Sequence, residues 1–261
     1  MFRIFLLATL LPALATAQVA DTIVRLDEQT SDRAFLKLPN GALYAVEMSD
    51  EADEDSLSFE TIARRSALQS CVTATFTGVV RRKAKTSPLP GRAKSYETLD
   101  DLLDELPSDS SMRFRTPRID TSPFSERVEE ERHNVRIKRA WLFAAFREED
   151  NDFHLIIGNH EQPSQATALM NVEVSGLPEK TASNRRAHQT LLEARTEFIK
   201  IFGDTQCRRT FRFPEKGVPV EIKGSLFFDT HHAGTGTGSG NLRPATVWEI
   251  HPVTGIQWLS N

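Results

Sequence analysis

The chain contains little cysteine, with only Cys71 and Cys207 among its 261 residues. It has no CxxC pair and no set of cysteines and histidines at zinc-finger spacing, which excludes the usual structural zinc sites. In an exported protein two cysteines favour a disulfide, and a bond between these two would join distant parts of the chain. The alternative is a pair of separately buried thiols.

The sequence also lacks an apolar run long enough to cross a membrane, which takes about 20 residues. Residues 1–17 carry one positive charge, at Arg3, then a short apolar run, and they end in Ala15-Thr16-Ala17. This arrangement is typical of a secretory signal peptide. We therefore predict cleavage after residue 17 and a periplasmic or secreted protein without a transmembrane segment. An N-terminal anchor is the alternative.

No strong excess of charge is present, since the formal net charge is −4. This balance does not favour a surface that binds nucleic acid or anionic membrane broadly, so the expected partner is an unknown ligand or an envelope protein. The HExxH and nucleophile-elbow patterns are missing. The glycine-rich residues 234–240 lack the lysine and the following helix of a phosphate-binding loop, which indicates a flexible loop instead.

Composition divides the remaining chain into three parts. Residues 18–83 predict a small N-terminal β-rich domain, with a hairpin at Pro39-Asn40-Gly41. Residues 84–132 are polar and broken by prolines, and they predict a linker with one short helix starting near Leu99. The basic run that starts at Arg81 is most simply a solvated part of this linker, with a nucleic-acid or lipid patch as the alternative.

Residues 133–261 predict the main domain. Apolar alternation indicates three strands, then a helix that begins after Ser183 or Asn184 and ends before Gly203, then two more strands. A helix between the third and fourth of five strands is the order of an OB-fold. The predicted fold is therefore mainly β, with an OB-fold-like five-stranded barrel and a smaller N-terminal β-rich domain.

Ionisable residues recur on one face of the predicted strands. In a strand, alternate side chains point to opposite faces, so these residues share the face opposite the apolar core. The simplest interpretation is a face turned to water. Their chemical type also suits acid–base catalysis or metal binding. The residues are Asp152, His154, Glu173, Glu249 and His251.

Two loops complete the candidate site. OB-folds bind ligands between their first–second and fourth–fifth loops, which here are residues 147–152 and 229–244. Acidic and imidazole groups suit a divalent cation, so Asp229 and His232 are the tentative metal ligands. The candidates for holding a ligand are Asp152, His154, Glu173 and Arg243.

Four segments, "FREEDNDFHLII", "MNVEV", "KGSLFFDTHH" and "VWEIHPV", resemble an uncharacterised family of bacterial exported OB-fold-like proteins. The resemblance covers about residues 135–256, and FFDxxH followed by WEIHP is its specific part. The chain departs from the family at Arg139, where glycine is usual, and in the late position of Pro178. The resemblance implies an OB barrel and no particular activity. The polar positions it implies are Asp152, His154, Glu173, Asp229, His232, Glu249 and His251.

Two functions follow from these observations. The first is an exported OB-fold-like binding protein of unknown ligand, with the two loops as its binding site. The second is a metal-dependent hydrolase of the phosphodiesterase or nuclease kind, in which Glu249 and His251 would be catalytic. The only cofactor that the residues suggest is a divalent metal ion.

Overall fold

The computed structural model describes residues 23–25, 34–49, 70–204, 207, 209–231, 242–244 and 246–260. The predicted signal peptide, His232 and the glycine-rich loop lie outside these ranges. Within them, no helix combines the length and apolar character needed to cross a membrane.

The described chain is mainly β. Its strands are β1 (Ile23–Arg25), β2 (Ala34–Lys37), β3 (Leu43–Ser49), β4 (Lys94–Tyr96), β5 (Asn134–Arg147), β6 (Phe153–Gly158), β7 (Leu169–Val174), β8 (Thr210–Arg212), β9 (Val218–Phe228) and β10 (Trp248–Trp258). Its α-helices are α1 (Arg82–Lys85), α2 (Leu99–Leu103), α3 (Asp109–Arg113) and α4 (Arg185–Phe202). Short 3-10 helices lie at Glu129–Glu131 and Pro163–Gln165.

Five strands form a closed barrel in the order β5-β6-β7-β10-β9, with β9 pairing back to β5. Strands β7 and β10 are parallel and the other barrel pairs are antiparallel. Helix α4 lies between the third and fourth of these strands, as the sequence predicts. The prediction of an OB-fold-like barrel is confirmed.

Bulges let the long strand β5 close this barrel. Its register with β9 shifts between Ile137 and Ala140, and its register with β6 shifts between Leu142 and Ala144. Each extra residue bends the strand and increases its twist, so one strand can pair on both sides of a strongly curved sheet. Arg139, where the resembling family has glycine, stands inside the first of these shifts.

The helix boundaries follow local signals in the sequence. Asn184 is the N-cap of α4, and Gly203 follows its last residue with a φ of 77°, a conformation that glycine adopts without strain. The apolar face of the helix buries Leu191, Phe198 and Phe202. Phe198 stacks on Phe153 of β6, with ring centroids 4.5 Å apart, so the helix packs on the barrel core.

The N-terminal hairpin is present at the predicted turn. Strands β2 and β3 pair antiparallel around Gly41, whose φ is 87°. Strand β3 then pairs with β8, and β8 pairs with β5, so the hairpin extends the sheet of the barrel. Residues 71–80, the end of the predicted β-rich domain, contain an isolated bridge between Thr75 and Leu177 but no strand. This stretch instead forms backbone hydrogen bonds with loops of the barrel: the N–H of Thr77 donates to the carbonyl of Asp150, in the loop between β5 and β6.

The disulfide prediction is confirmed: Cys71 and Cys207 are bonded, with Cα atoms 6.5 Å apart and a sequence separation of 136. The bond attaches the start of the segment 70–131 to the chain just after α4. It therefore holds this segment close to the barrel at one end.

Segment 70–131 covers the outer face of the barrel. Arg81 and Glu131 form a fully buried ion pair at 2.7 Å, and the Glu131 carboxylate accepts a hydrogen bond from the N–H of Phe228 in β9. Arg127 donates to the carbonyls of Ala84 and His251, which joins the segment to β10. Within the basic run Arg81 is completely buried and is therefore not solvated, whereas Arg82, Lys83, Arg92 and Lys94 are exposed.

Candidate metal centre on the outer face of the barrel

The polar face of the barrel strands is buried, which contradicts its simplest interpretation as a face turned to water. Phe153, Leu155 and Val172 point into the barrel core, as strand alternation predicts. The ionisable residues on the opposite face are exposed by 5% or less because segment 70–131 lies over them. These residues are Asp152, His154, Glu173, Glu249 and His251.

Strand pairing brings these side chains together from three strands. His154 of β6 is directly opposite Glu173 of β7, and Glu249 of β10 is opposite Asn171 of β7. His251 follows two residues after Glu249 and lies on the same face. Barrel closure therefore places residues about 100 positions apart in the sequence within side-chain reach.

The inner cluster consists of Asp152, Glu173 and His251. His251 Nδ1 lies 2.7 Å from Glu173 Oε2, and His251 Nε2 lies 3.2 Å from Asp152 Oδ2. All three side chains offer one ligand atom within 4.8 Å of the others. None of these four atoms makes a hydrogen bond of good geometry with any residue that the structure describes.

The outer cluster consists of Glu148, His154 and Glu173. His154 Nδ1 lies 3.0 Å from Glu148 Oε1 and 3.3 Å from Glu173 Oε1. In this cluster too, each side chain offers one ligand atom within 4.8 Å of the other two. The Glu148 side chain is 32% exposed and that of His154 only 6%, so this cluster lies nearer the surface.

Lys85, at the end of α1, is the cation closest to these carboxylates, with its Nζ 3.9 Å from Glu173 Oε2. Burial alone would lower the pKa of Lys85, but Glu173 and Glu249 outweigh burial and hold it well above the ordinary value. The lysine is therefore charged. It places one positive charge against a larger number of buried acids.

Carboxylates set the charge of both histidines. Burial alone would lower the pKa of His251, and Glu173 and Asp152 instead raise it well above its usual value. The pKa of His154 is raised in the same way, against burial, by Glu148 and Glu173. For Glu173, burial is outweighed by His251 and Lys85, which hold its pKa well below the ordinary range.

The pKa of Glu249 is shifted in the opposite direction from that of Glu173. Burial, followed by repulsion from Glu173 and Asp229, raises the pKa of Glu249 to about 8. Its Oε2 lies 3.8 Å from His251 Nδ1, outside hydrogen-bonding distance. In the absence of another cation Glu249 is therefore protonated at neutral pH.

We expect Glu249→Gln to flatten the pH dependence of stability in chelator-treated protein. Between pH 4.5 and about 8 the folded state keeps a proton on Glu249 that the unfolded state has released, so stability falls as pH rises. Glutamine cannot titrate, and the slope should become less steep by about 1 kcal/mol per pH unit. Denaturant unfolding at several pH values measures this slope.

The control for this experiment is Glu179→Gln, which changes an exposed carboxylate outside both clusters. Its pH profile should match that of the unsubstituted protein. If the pH profile of Glu249→Gln also runs parallel to that of the unsubstituted protein, the pKa of Glu249 is not raised in the folded state.

The other candidate residues lie at the edges of the two clusters. The Asp229 carboxylate accepts a hydrogen bond from the N–H of His231, and among the described residues it belongs to neither cluster. Arg243 is exposed. His232 falls outside the described residues.

Two residues that support the site, Lys85 and Arg195, are not among the residues predicted from the sequence. Glu148 lies within the predicted binding loop 147–152 without being singled out there, and Lys85 lies in the basic run. The spacing of Arg81 and Lys85, four residues apart, was an available signal that both could share one side of a helical turn. No local pattern marked Arg195.

Arg195 of α4 fixes the backbone next to two of the site residues. Its guanidinium is fully buried and donates to the carbonyls of Asn151, Val174 and Ser175, which adjoin Asp152 and Glu173. Asp152 is fixed further through Oδ1, which accepts from Gly176 N–H at 2.5 Å. A side chain at Gly176 would place its Cβ 2.7 Å from the backbone of Phe76, so only glycine lets segment 70–131 approach here.

Comparison of the chain with protein-family models, with curated proteins and with solved structures gave no match. The argument for function therefore depends on the geometry of the two clusters.

Proposed function

We propose that this protein is an exported binding protein whose OB barrel holds a divalent metal ion in the inner cluster on its outer face. The observation that carries the proposal is His251. Both its ring nitrogens are buried and lie 2.7 and 3.2 Å from carboxylate oxygens, in ion-pair contacts that do not have the geometry of ordinary hydrogen bonds to the described residues. Buried polar atoms are almost always hydrogen-bonded, and metal ligands are a standard exception.

The electrostatics of the cluster support a bound cation. Buried charges are normally paired, because burial of an uncompensated carboxylate is very costly. Asp152, Glu173 and Glu249 are all exposed by 3% or less, and among the described residues Lys85 supplies a positive charge beside Glu173 while Arg195 supplies one near Asp152. A divalent ion among these oxygens would compensate their charge without protonating the histidine.

The ligand types indicate which ions fit. Calcium and magnesium take oxygen ligands, whereas an imidazole together with carboxylates suits zinc, manganese, iron or cobalt. His251 can coordinate through one nitrogen only, and its other nitrogen then donates to a carboxylate. Such a carboxylate–histidine–metal arrangement fixes the ring and increases its basicity. Asp152 and Glu173 lie on either side of the His251 ring. One of them can therefore bind the metal ion while the other accepts the hydrogen bond from the second ring nitrogen.

Burial favours binding over hydrolysis as the function. A hydrolytic metal keeps an open coordination position for water or substrate. In the described part of the chain the Asp152 and His251 side chains are fully buried, so no observation there favours the hydrolase alternative. Export is supported by the signal-like N-terminus and is compatible with the Cys71–Cys207 disulfide.

Metal titration tests the proposal directly. We expect Zn²⁺ or Mn²⁺, added to chelator-treated protein, to bind in isothermal titration calorimetry and to raise the melting temperature, since a ligand of the folded state stabilises it. Glu173→Gln removes a charged ligand and should weaken binding at least tenfold. Glu179→Gln, an exposed carboxylate, should bind as the unsubstituted protein does.

The proposal is wrong if neither ion binds in the micromolar range. It is also wrong if Glu173→Gln, shown to be folded by circular dichroism, binds as tightly as the control.

A further inference from the structure

Glu173 belongs to both clusters and faces each with a different oxygen. Its Oε2 lies 2.7 Å from His251 Nδ1, while its Oε1 lies 3.3 Å from His154 Nδ1. One carboxylate thus stands between two imidazoles that approach from opposite sides. A carboxylate in this position can bridge two cations, one on each oxygen.

The outer cluster adds two donors, Glu148 and His154, to the shared Glu173. Glu148 Oε1 lies 3.0 Å from His154 Nδ1, which is buried and makes no hydrogen bond of good geometry with described residues. The His154 ring stacks on Phe146 with centroids 4.7 Å apart, so its orientation is set independently of Glu148. The nitrogen is therefore held towards the two carboxylates.

We propose that a second divalent ion binds in the outer cluster, so that the two clusters form a carboxylate-bridged dinuclear centre with Glu173 as the bridge. His154 and Glu148 hold the outer ion, and His251 and Asp152 hold the inner one. This inference rests on the proposed metal-binding function and extends it to the neighbouring group. Metal pairs of this kind lie about 3.5–4 Å apart in proteins.

Charge supports two ions over one. Two adjacent divalent ions repel each other strongly and need an excess of anionic groups around them. Among the described residues at least five carboxylates lie in or beside the two clusters, and Lys85 and Arg195 are neighbouring cations. These carboxylates are Glu148, Asp150, Asp152, Glu173 and Glu249. Two divalent ions would offset the negative charge that remains once metal binding has displaced the protons of the histidines and of Glu249.

The clusters differ in exposure, and this difference sets an order of release. Glu148 is 32% exposed at its side chain, whereas Asp152 and His251 are fully buried. A chelator should therefore remove the outer ion first and the inner ion more slowly. Two separate phases of release are expected from one chain.

The experiment uses Mn²⁺ as the probe and measures both stoichiometry and the electron paramagnetic resonance spectrum of the full chain. We expect two ions per chain with a spin-coupled spectrum, because ions bridged by one carboxylate interact magnetically. Glu148→Gln and, separately, His154→Asn should each bind one ion with the spectrum of an isolated Mn²⁺. Glu179→Gln should keep two coupled ions.

The outcomes separate the two proposals. One ion per chain in the unsubstituted protein, unaffected by Glu148→Gln and His154→Asn, overturns the dinuclear centre and leaves the inner site standing. Two ions without spin coupling, or two ions still bound in both variants, also overturn it. No bound Mn²⁺ or Zn²⁺ at all overturns the proposed function itself.

Discussion

Replacing Lys85 with methionine is expected to tighten Zn²⁺ binding by about 100-fold and, in metal-free protein, to lower the free energy of unfolding by about 3 kcal/mol. The Lys85 ammonium lies 3.9 Å from Glu173 Oε2, in the space where a metal ion would also find its carboxylates. At an effective dielectric constant of about 20, unit charges 4 Å apart interact by about 4 kcal/mol. The lysine therefore stabilises the metal-free state and opposes the bound ion.

Methionine keeps most of the length and apolar volume of the lysine stem, whose terminal ammonium lies 5.7 Å from the centroid of the Phe227 ring. The substitution thus removes the charge with little loss of packing. Lys83→Met is the matched control, because Lys83 lies on the same short helix with its side chain 50% exposed. Competition against a chromophoric chelator measures the Zn²⁺ affinity, and urea unfolding in excess chelator measures stability.

The two effects have opposite signs, which makes the experiment informative about the whole cluster. A lower stability with no gain in Zn²⁺ affinity would show that the cluster is an ion-pair network completed by Lys85. That result would contradict metal binding at Glu173. A gain in affinity for Lys85→Met with none for Lys83→Met would support it.

Arg195→Met is expected to lower the free energy of unfolding by more than about 5 kcal/mol, which is enough to prevent folding of an ordinary domain. The Arg195 guanidinium donates to carbonyls of five residues, and each buried acceptor left unsatisfied costs about 1–3 kcal/mol. These residues are Cys71, Val72, Asn151, Val174 and Ser175. Burial lowers the pKa of Arg195 to about 9, and its guanidinium also stacks on Phe153 at 4.5 Å.

Two variants test whether the loss comes from these hydrogen bonds. Arg195→Lys keeps the charge but cannot reproduce the planar fork of donors, so its stability should fall between those of Arg195→Met and the unsubstituted protein. Arg186→Met changes an exposed arginine on the same helix and should be neutral. A soluble Arg195→Met protein with an unchanged urea midpoint would show that the hydrogen bonds from Arg195 to these carbonyls do not stabilise the fold.

Much of the barrel could be predicted because its signals are local. Period-two alternation in strands such as "FHLIIG" and "VWEIHPV" places Phe153 and Trp248 in the core and His154 and Glu249 on the other face, as observed. The cap at Asn184 and the glycine at position 203 delimit helix α4. Once five strands and one helix are recognised in this order, few closed arrangements remain.

The membership of the site was only partly predictable. Asp152, His154, Glu173 and His251 were candidates by strand parity and residue type, and the structure brings all four together. Lys85 and Arg195 contribute from segments that are remote in sequence and lack chemical motifs. Their roles depend on which carboxylates and carbonyls they reach after the barrel has closed.

What the sequence determined by itself is therefore which residues share a face, where the helix begins and ends, and that two cysteines were available for one bond. Only the tertiary structure decided what covers the outer face. Alternation says that a side chain points away from the core, and it carries no information on whether water or another segment lies there. Segment 70–131 packs over that face, and this burial turns a row of polar residues into a buried cluster of carboxylates and imidazoles.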